Sequence, residues 1–208
     1  MSWDDIYGQG LQHNHWPFSE LVSFVLRASK SRIRSQTVVL ELGSGTGNNL
    51  RFLAEEGFVA VGIEHSAIAV RYAKQRLENL ELNAHVIQGD FRYLPLLDCS
   101  ADIVLDRGSL LHADLQGLAQ AVSEIKRILK PRGCFFSMGL RGDLHPLAPK
   151  LASDQPLYLQ RGGRHFTFLR PTELENLLKN FASRSIVERT RVKNGIVFDH
   201  EFELEVHN

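Results

Sequence analysis

The chain has 208 residues, 43% of them hydrophobic, enough for one substantial core, so a single domain over residues 1–208 is expected. Its 24 Lys and Arg balance its 24 Asp and Glu, so no global field gathers polyanions and no nucleic-acid partner is expected. Cys99 and Cys134 stand outside any CxxC pattern, no leader-like start occurs, and no apolar run approaches the roughly 18 residues of a membrane span, which points to a cytoplasmic protein, monomer or homodimer, without disulfides or a membrane partner.

Residues 1–36 carry no strand pattern and read as an N-terminal arm or lid. From Thr37, short β-rich runs alternate with amphipathic helical runs, the pattern of parallel βαβ units. Strands are predicted at 37–42, 59–63, 84–88, 101–106 and 134–139, the first five buried and parallel, with helices over 50–56 and 67–80. Leu115, Leu118, Val122, Ile125 and Leu129 recur at steps of three and four and predict another helix ending at "KPRG". Residues 140–170 read as a loop-rich, substrate-side connection, too long for a compact domain without a functional reason and so a second candidate lid. Thr172 and Glu175 form a capping-box pattern ahead of "LENLL".

Two last strands, 184–192 and 196–206, leave no room for a crossover helix and predict an antiparallel hairpin. A two-residue Asn194-Gly195 turn would put Arg189, Arg191 and Lys193 on the face of Phe198 and Phe202. A three-residue Lys193–Gly195 loop, pairing Arg189 with Asp199 and Ile186 with Phe202, is the preferred register. The fold class is therefore α/β: a doubly wound, mostly parallel seven-stranded sheet with an antiparallel C-terminal hairpin, built from the arm, a core at 37–139, the connection, and a C-terminal helix and hairpin at 171–208.

The first strand runs into "ELGSGTGNN", with Gly43, Gly45 and Gly47 spaced by one residue and Glu41 inside the strand. A glycine turn between strand and helix lets backbone approach a ligand at the carboxyl edge of the sheet. A dinucleotide GxGxxG would need glycine where Asn48 stands, and a phosphate-binding loop would need a lysine that is missing. The pattern ExGxGxG resembles the first motif of class I S-adenosylmethionine-dependent methyltransferases, and "GDF" at 89–91, "DIVLDRGSLLH" and "ILKPRGCFFS" fall where that family has its later strands.

The resemblance implies a Rossmann-like methyltransferase fold and S-adenosylmethionine as cofactor, leaving as S-adenosylhomocysteine. It implies cofactor contacts from Glu41, Gly43, Ser44, Gly45, Gly47 and Asn48 in the first loop, and from Glu64, on the ribose diol, with His65. Gly89, Asp90 on the adenine amino group and Phe91 on the ring follow, then Asp106 and Arg107. The arm, with Trp3, Tyr7 and Trp16, is similar to that of small-molecule methyltransferases of the thiopurine and tellurite type, as is "DRG" at 106–108, which implies that Tyr7 and Trp16 close over the cofactor.

The implied activity is methyl transfer to an O, N or S nucleophile of a small molecule, with an anionic metabolite or a saccharide among the candidates. A protein or tRNA methyltransferase, a non-catalytic cofactor-binding subunit and a nicotinamide oxidoreductase are the rival readings. The connection carries Arg141, Lys150, Arg161, Arg164 and Arg170 against Asp143 and Asp154, a basic surplus suited to carboxylate or phosphate. None of the nine histidines has metal-ligand spacing, and no metal is expected. His112, just beyond the fourth strand, is the candidate general base, with an unperturbed pKa near 6.5, and Asp106 is the second candidate for the chemistry.

Overall fold

The computed structural model describes residues 1–150 and 155–208; Asp154 and part of the 140–170 connection lie outside them. The described strands are β1 (Val38–Leu42), β2 (Val59–Glu64), β3 (Ala84–Gln88), β4 (Ala101–Arg107), β5 (Leu129–Gly142), β6 (Leu157–Arg161), β7 (Arg164–Leu169), β8 (Ser183–Lys193) and β9 (Ile196–His207). The helices are α1 (Trp3–Gly8), α2 (Ser19–Ala28), α3 (Asn48–Glu55), α4 (Ala67–Asn79), α5 (Leu115–Ile128) and α6 (Pro171–Leu178). Among the described residues, no helix is long and apolar enough to cross a membrane.

Strands β3-β2-β1-β4-β5 pair in parallel, and β9 runs antiparallel between β5 and β8. Side-chain alternation sends each central strand to both layers, which explains why these strands read as continuous apolar runs. Leu40, Leu42, Val104 and Phe135 face Leu118, Val122 and Ile125 of α5 and Leu174 and Leu178 of α6. Val39, Ile103, Leu105, Phe136 and Met138 face Leu21, Phe24 and Val25 of α2 and Leu50 and Leu53 of α3. Phe24 stacks on Phe136 at 4.5 Å between centroids.

The sheet has nine strands where seven were predicted, because residues 157–169 form a hairpin in the connection read as loop. Its turn is Gly162-Gly163, both left-handed with φ of 57° and 75°. The 14-residue β5 outlasts its neighbour: β4 ends with Arg107 opposite Met138, and β7 takes over at Arg141 and Gly142. The β6–β7 hairpin thereby stands over the carboxyl end of the sheet.

Two local expectations are overturned. The C-terminal hairpin has a two-residue turn with Lys193 opposite Ile196, and a register slip between Arg191 and Val192 then sets Arg191 opposite Asp199, Arg189 opposite Glu201 and Ile186 opposite Leu204. The slip leaves Phe198 as the extra, exposed residue and moves the arginines opposite acids, with Arg191 3.2 Å from Asp199, a solution that a fixed register does not offer. Helix α6 starts at Pro171, where the Arg170 N–H donates to Glu173 at 2.7 Å, while Glu175 turns outward to Arg184 at 2.8 Å.

Candidate functional site

The carboxyl ends of β1, β2, β3, β4 and β5 surround a cavity of about 480 Å³, roofed by the arm and by β7. At its floor the β1–α3 turn packs so closely that a Cβ on Gly43 would lie 2.0 Å from the Ser109 hydroxyl, which itself donates to the Leu42 carbonyl at 3.0 Å. Gly45, at φ 52°, would put a Cβ 2.9 Å from the Tyr7 hydroxyl. Only glycine holds this turn open.

Glu64 ends β2 with both carboxylate oxygens engaged by backbone, Oε2 accepting from Gly45 N–H at 2.9 Å and Oε1 from Ser66 N–H at 2.7 Å. The end of β2 thus fixes the glycine turn and the start of α4 together. Glu41 accepts at Oε1 from Asn49 Nδ2 at 2.6 Å, and Asn49 Oδ1 accepts from Phe18 N–H at 3.0 Å. Asn48 Nδ2 donates to the Trp16 carbonyl at 2.9 Å, so the first residues of α3 staple the arm to the loop.

Burial pushes the Glu41 carboxyl up to about 8, against the Asn49 hydrogen bond and with help from Asp106 and Glu64. Burial also raises Glu64 above the usual carboxylate range, opposed by the N–H groups of Ser66 and Gly45. Tyr7, buried beside both acids, is held well above the ordinary phenol value.

The other end of the cavity carries the opposite charge. His112 sits in a short helical turn after β4, its Nδ1 donating to the His165 carbonyl of β7 at 2.7 Å, which leaves Nε2 with the lone pair. Trp3 and Phe166 each meet the ring edge-on at 4.9 Å. Burial lowers the His112 pKa to about 4; the His165 carbonyl opposes the shift, and Arg164 and Arg141 add to it. The expected value near 6.5 is therefore overturned: the imidazole is neutral at physiological pH.

Arg164 lies over Trp3 at 5.5 Å and Phe166 at 5.4 Å, and Arg141 over Phe166 at 5.2 Å. The arm closes on this hairpin through the Met1 amino group, which donates to the Gly162 carbonyl at 2.9 Å.

Residues 39–133 match the family model described as "Methyltransferase domain". The domain is of the class I, S-adenosylmethionine-dependent type. Over 99 residues the chain is 31% identical to an uncharacterized methyltransferase of Oceanobacillus iheyensis, matching 48% of this chain and 45% of the relative. It is 36% identical over 104 residues to the dimethylglycine N-methyltransferase of Parasynechococcus marenigrum, 47% of this chain and 35% of that one. The chain thus spans less than half the length of these curated relatives. A solved S-adenosylmethionine-dependent methyltransferase of Methanosarcina mazei superposes with a TM-score of 0.68 at 16% identity, covering 93% of this chain and 98% of that chain.

S-adenosylmethionine is the cofactor of such methyltransferase domains, and the residues present fit it. Glu41 Oε2, Ser44 Oγ and Thr46 Oγ1 are buried with no hydrogen-bond partner among the described residues, beside a turn kept free of side chains. A ligand carrying both positive charge and hydrogen-bonding groups answers these orphaned atoms and the raised acids.

The fold brings together on the cavity wall Tyr7, Glu41, Gly43, Ser44, Gly45 and Asn48, as well as Glu64, His65, Gly89, Phe91, Arg107 and His112. Four sequence candidates do not reach it. Trp16 is 70% exposed and stands over Arg51. Gly47 serves the helix start, facing Ala73. Asp90 is held by Arg92 at 2.9 and 3.0 Å, an interaction that keeps its carboxyl below the usual range. Asp106 is wholly buried, accepting from Ser109 N–H at 2.9 Å, Leu110 N–H at 3.1 Å and Ser137 Oγ at 2.7 Å, so it shapes the turn before His112 from beneath.

The sequence reading missed Phe18, Asn49, Ser109 and Phe166. The second asparagine after the glycines and the alternation of "HFTF" were the available signals.

Proposed function

We propose that the chain transfers a methyl group from S-adenosylmethionine to a small-molecule acceptor. The observation that carries this reading is the roof: α1 and the β6–β7 hairpin join over part of the cavity through Met1 and Gly162, narrowing access beyond the glycine turn. A macromolecular acceptor would meet that roof first. The dimethylglycine N-methyltransferase relative supports a small acceptor.

When bound, the cofactor supplies a methyl group activated by a sulfonium, so the protein's task is alignment and exclusion of water. In this reading Glu64 receives the ribose hydroxyls on its remaining lone pairs and Glu41 Oε2 takes the ammonium of the methionine moiety. Phe91 covers the adenine ring, and Asp90 meets the adenine amino group only on leaving Arg92. His112 Nε2 accepts the hydrogen of an acceptor O–H or N–H and points its nucleophilic lone pair along the cavity. Arg107, above Phe18 at 4.7 Å, and Tyr7 close the wall between the two ends.

The test is calorimetric titration with S-adenosylmethionine and S-adenosylhomocysteine, followed by a methyl-release assay with pooled small acceptors, protein and tRNA. Binding of both cofactor forms with turnover confined to the small-molecule pool is expected. Turnover confined to protein or tRNA would overturn the acceptor class, and binding without any turnover would favour a cofactor-binding subunit.

A further inference from the structure

Arg141 and Arg164 converge on one wall of the cavity from different strands, the end of β5 and the start of β7, and share the Phe166 ring. Among the described residues neither guanidinium makes a hydrogen bond or an ion pair, and Arg164 Nε is buried without a partner. The carboxylates nearest Arg141 in effect, Asp199 and Glu201, are paired with Arg191 at 3.2 and 3.4 Å. Burial lowers the Arg141 pKa below its ordinary value, and the charges of Asp199 and Glu201 oppose that shift without cancelling it. Several other arginines are matched, with Arg27, Arg32, Arg51, Arg92, Arg127 and Arg189 each holding a carboxylate. Arg107 of β4, also on the cavity wall, has its Nε buried without a partner among the described residues and lies over Phe18.

We infer that Arg141 and Arg164 form an anion clamp for the methyl acceptor, and that the acceptor is a small carboxylic acid whose nucleophile lies toward His112. The inference rests on the methyl-transfer reading and adds to it the substrate class. Three observations favour the acceptor over the cofactor as the clamp's ligand. The cofactor cradle lies on β1, β2 and β3, whereas the clamp lies across β4 on β5 and β7, by the sheet order. The cradle's buried ionisable groups are the carboxyls of Glu41 and Glu64, whereas the clamp's are guanidiniums. His112 stands between the clamp and β4, its ring against Phe166.

The choice of carboxylate follows from geometry. Two planar forks restrained by aromatic faces match a planar, bidentate anion. Trp3 and Phe166 carry the guanidiniums and also flank the His112 ring, whose Nε2 keeps its lone pair, so in this assignment the acid's N–H or O–H group donates to that nitrogen while its carboxylate sits on the arginines.

The experiment uses the full chain saturated with S-adenosylhomocysteine. A panel of small carboxylic acids that includes N,N-dimethylglycine, each acid paired with its uncharged amide, is screened by thermal shift and calorimetry, with the phosphate monoester of ethanolamine and inorganic phosphate as further probes. Acids that bind while their amides do not are the expected result. Arg141→Gln and Arg164→Gln should each weaken the best acid at least tenfold and together abolish its binding, with S-adenosylhomocysteine affinity within twofold of the parent, which also certifies the fold. Arg164→Lys, which keeps the charge and loses the fork, should fall between.

Equal binding of acids and amides, no acid binding to the loaded protein, or selection of the phosphates over the acids would overturn the clamp as assigned. Loss of S-adenosylhomocysteine binding in the arginine variants would overturn it differently, by showing that the guanidiniums hold the cofactor's own carboxylate. Failure of the parent protein to bind S-adenosylhomocysteine at all would instead sink the methyl-transfer reading, and the two failures are thereby distinguishable.

Discussion

The two ends of the cavity are built on opposite plans. The end proposed for the cofactor is acidic, hydrogen-bonded into the backbone, and built mainly from the loops after β1, β2 and β3, within residues 41–91. The end proposed for the acceptor is basic and aromatic, held by ring contacts, and assembled from residues 3, 112, 141, 164 and 166. Backbone hydrogen bonds position the first, whereas edge-on ring contacts and cation–π contacts position the second and leave its donors unspent. A fold can thus keep one cofactor while its acceptor chamber varies with the segments that happen to roof it.

The sharpest way to break this contrast is at the glycine turn. Gly45→Val would place a branched side chain at φ 52° and against the Tyr7 hydroxyl. Strain of about 1–3 kcal/mol for the dihedral alone, with the clash added, should abolish measurable S-adenosylmethionine binding by calorimetry while far-ultraviolet circular dichroism stays that of the parent. Retained affinity would show that the turn is not a cradle.

At the other end, His112→Ala should lower kcat by about 10²-fold, the lower end of what general-base catalysis supplies, because a nitrogen with a pKa of about 4 is a weak base. Cofactor affinity should stay within twofold. In the parent protein the imidazole is neutral above about pH 4, so the rate attributable to it is full at neutral pH and is lost as pH falls through 4, with no limb near 6.5. A histidine-range limb that disappears in the variant would mean that the ring is charged and solvated when it works.

Glu64→Ala removes the acceptor of two backbone N–H groups as well as the proposed ribose contact. Charge-assisted hydrogen bonds contribute about 1.5–3 kcal/mol each, so S-adenosylmethionine should bind at least about tenfold more weakly. The same substitution should leave the carboxylic-acid affinity of residual loaded protein near the parent's; coupled losses would merge the two ends into one cooperative unit.

The smallest effect is a proton count. The Glu41 carboxyl, pushed up to about 8 by burial, holds a proton in the folded protein at pH 7, while in the unfolded chain, at its ordinary 4.5, it does not. The folded state binds more protons between those values, so this group's contribution makes stability fall as pH rises from about 4.5 to about 8 and level off above. A cationic ligand at Oε2 favours the ionised form, so cofactor binding at pH 7 should release a fraction of a proton, measurable by calorimetry in buffers of different ionisation enthalpy. Glu41→Gln should abolish that release and flatten its share of the slope of Tm against pH; an unchanged proton count would place the ammonium elsewhere.

The parallel strands, helix α5 and the glycine turn were legible because each rests on neighbours in sequence: apolar alternation, a 3.6-residue stripe, and a turn only glycine permits. The β6–β7 hairpin was not, although "RGGR" marks its turn, since its short strands gain a place only from the edge of β5 beyond the end of β4. The C-terminal register was hidden by the slip at Arg191 and Val192, a one-residue event chosen by pairing along the whole of β8 and β9.

By itself, then, the amino-acid order determined the βαβ core and the glycine turn with Glu41 and Glu64 beside it, because those features depend on dihedral freedom and on spacing along a few dozen residues, while the cofactor was implied by the resemblance of that turn to the first motif of class I methyltransferases. Only the tertiary structure decided that Asp106 lies beneath the site, that Asp90 is held by Arg92, that His112 is neutral, and that Arg141 and Arg164 share the Phe166 ring. Burial and charge balance are set by groups more than 20 residues apart in sequence, such as Trp3, His112 and Arg164, and a local pattern contains no information about the dielectric that distant segments create when they close together.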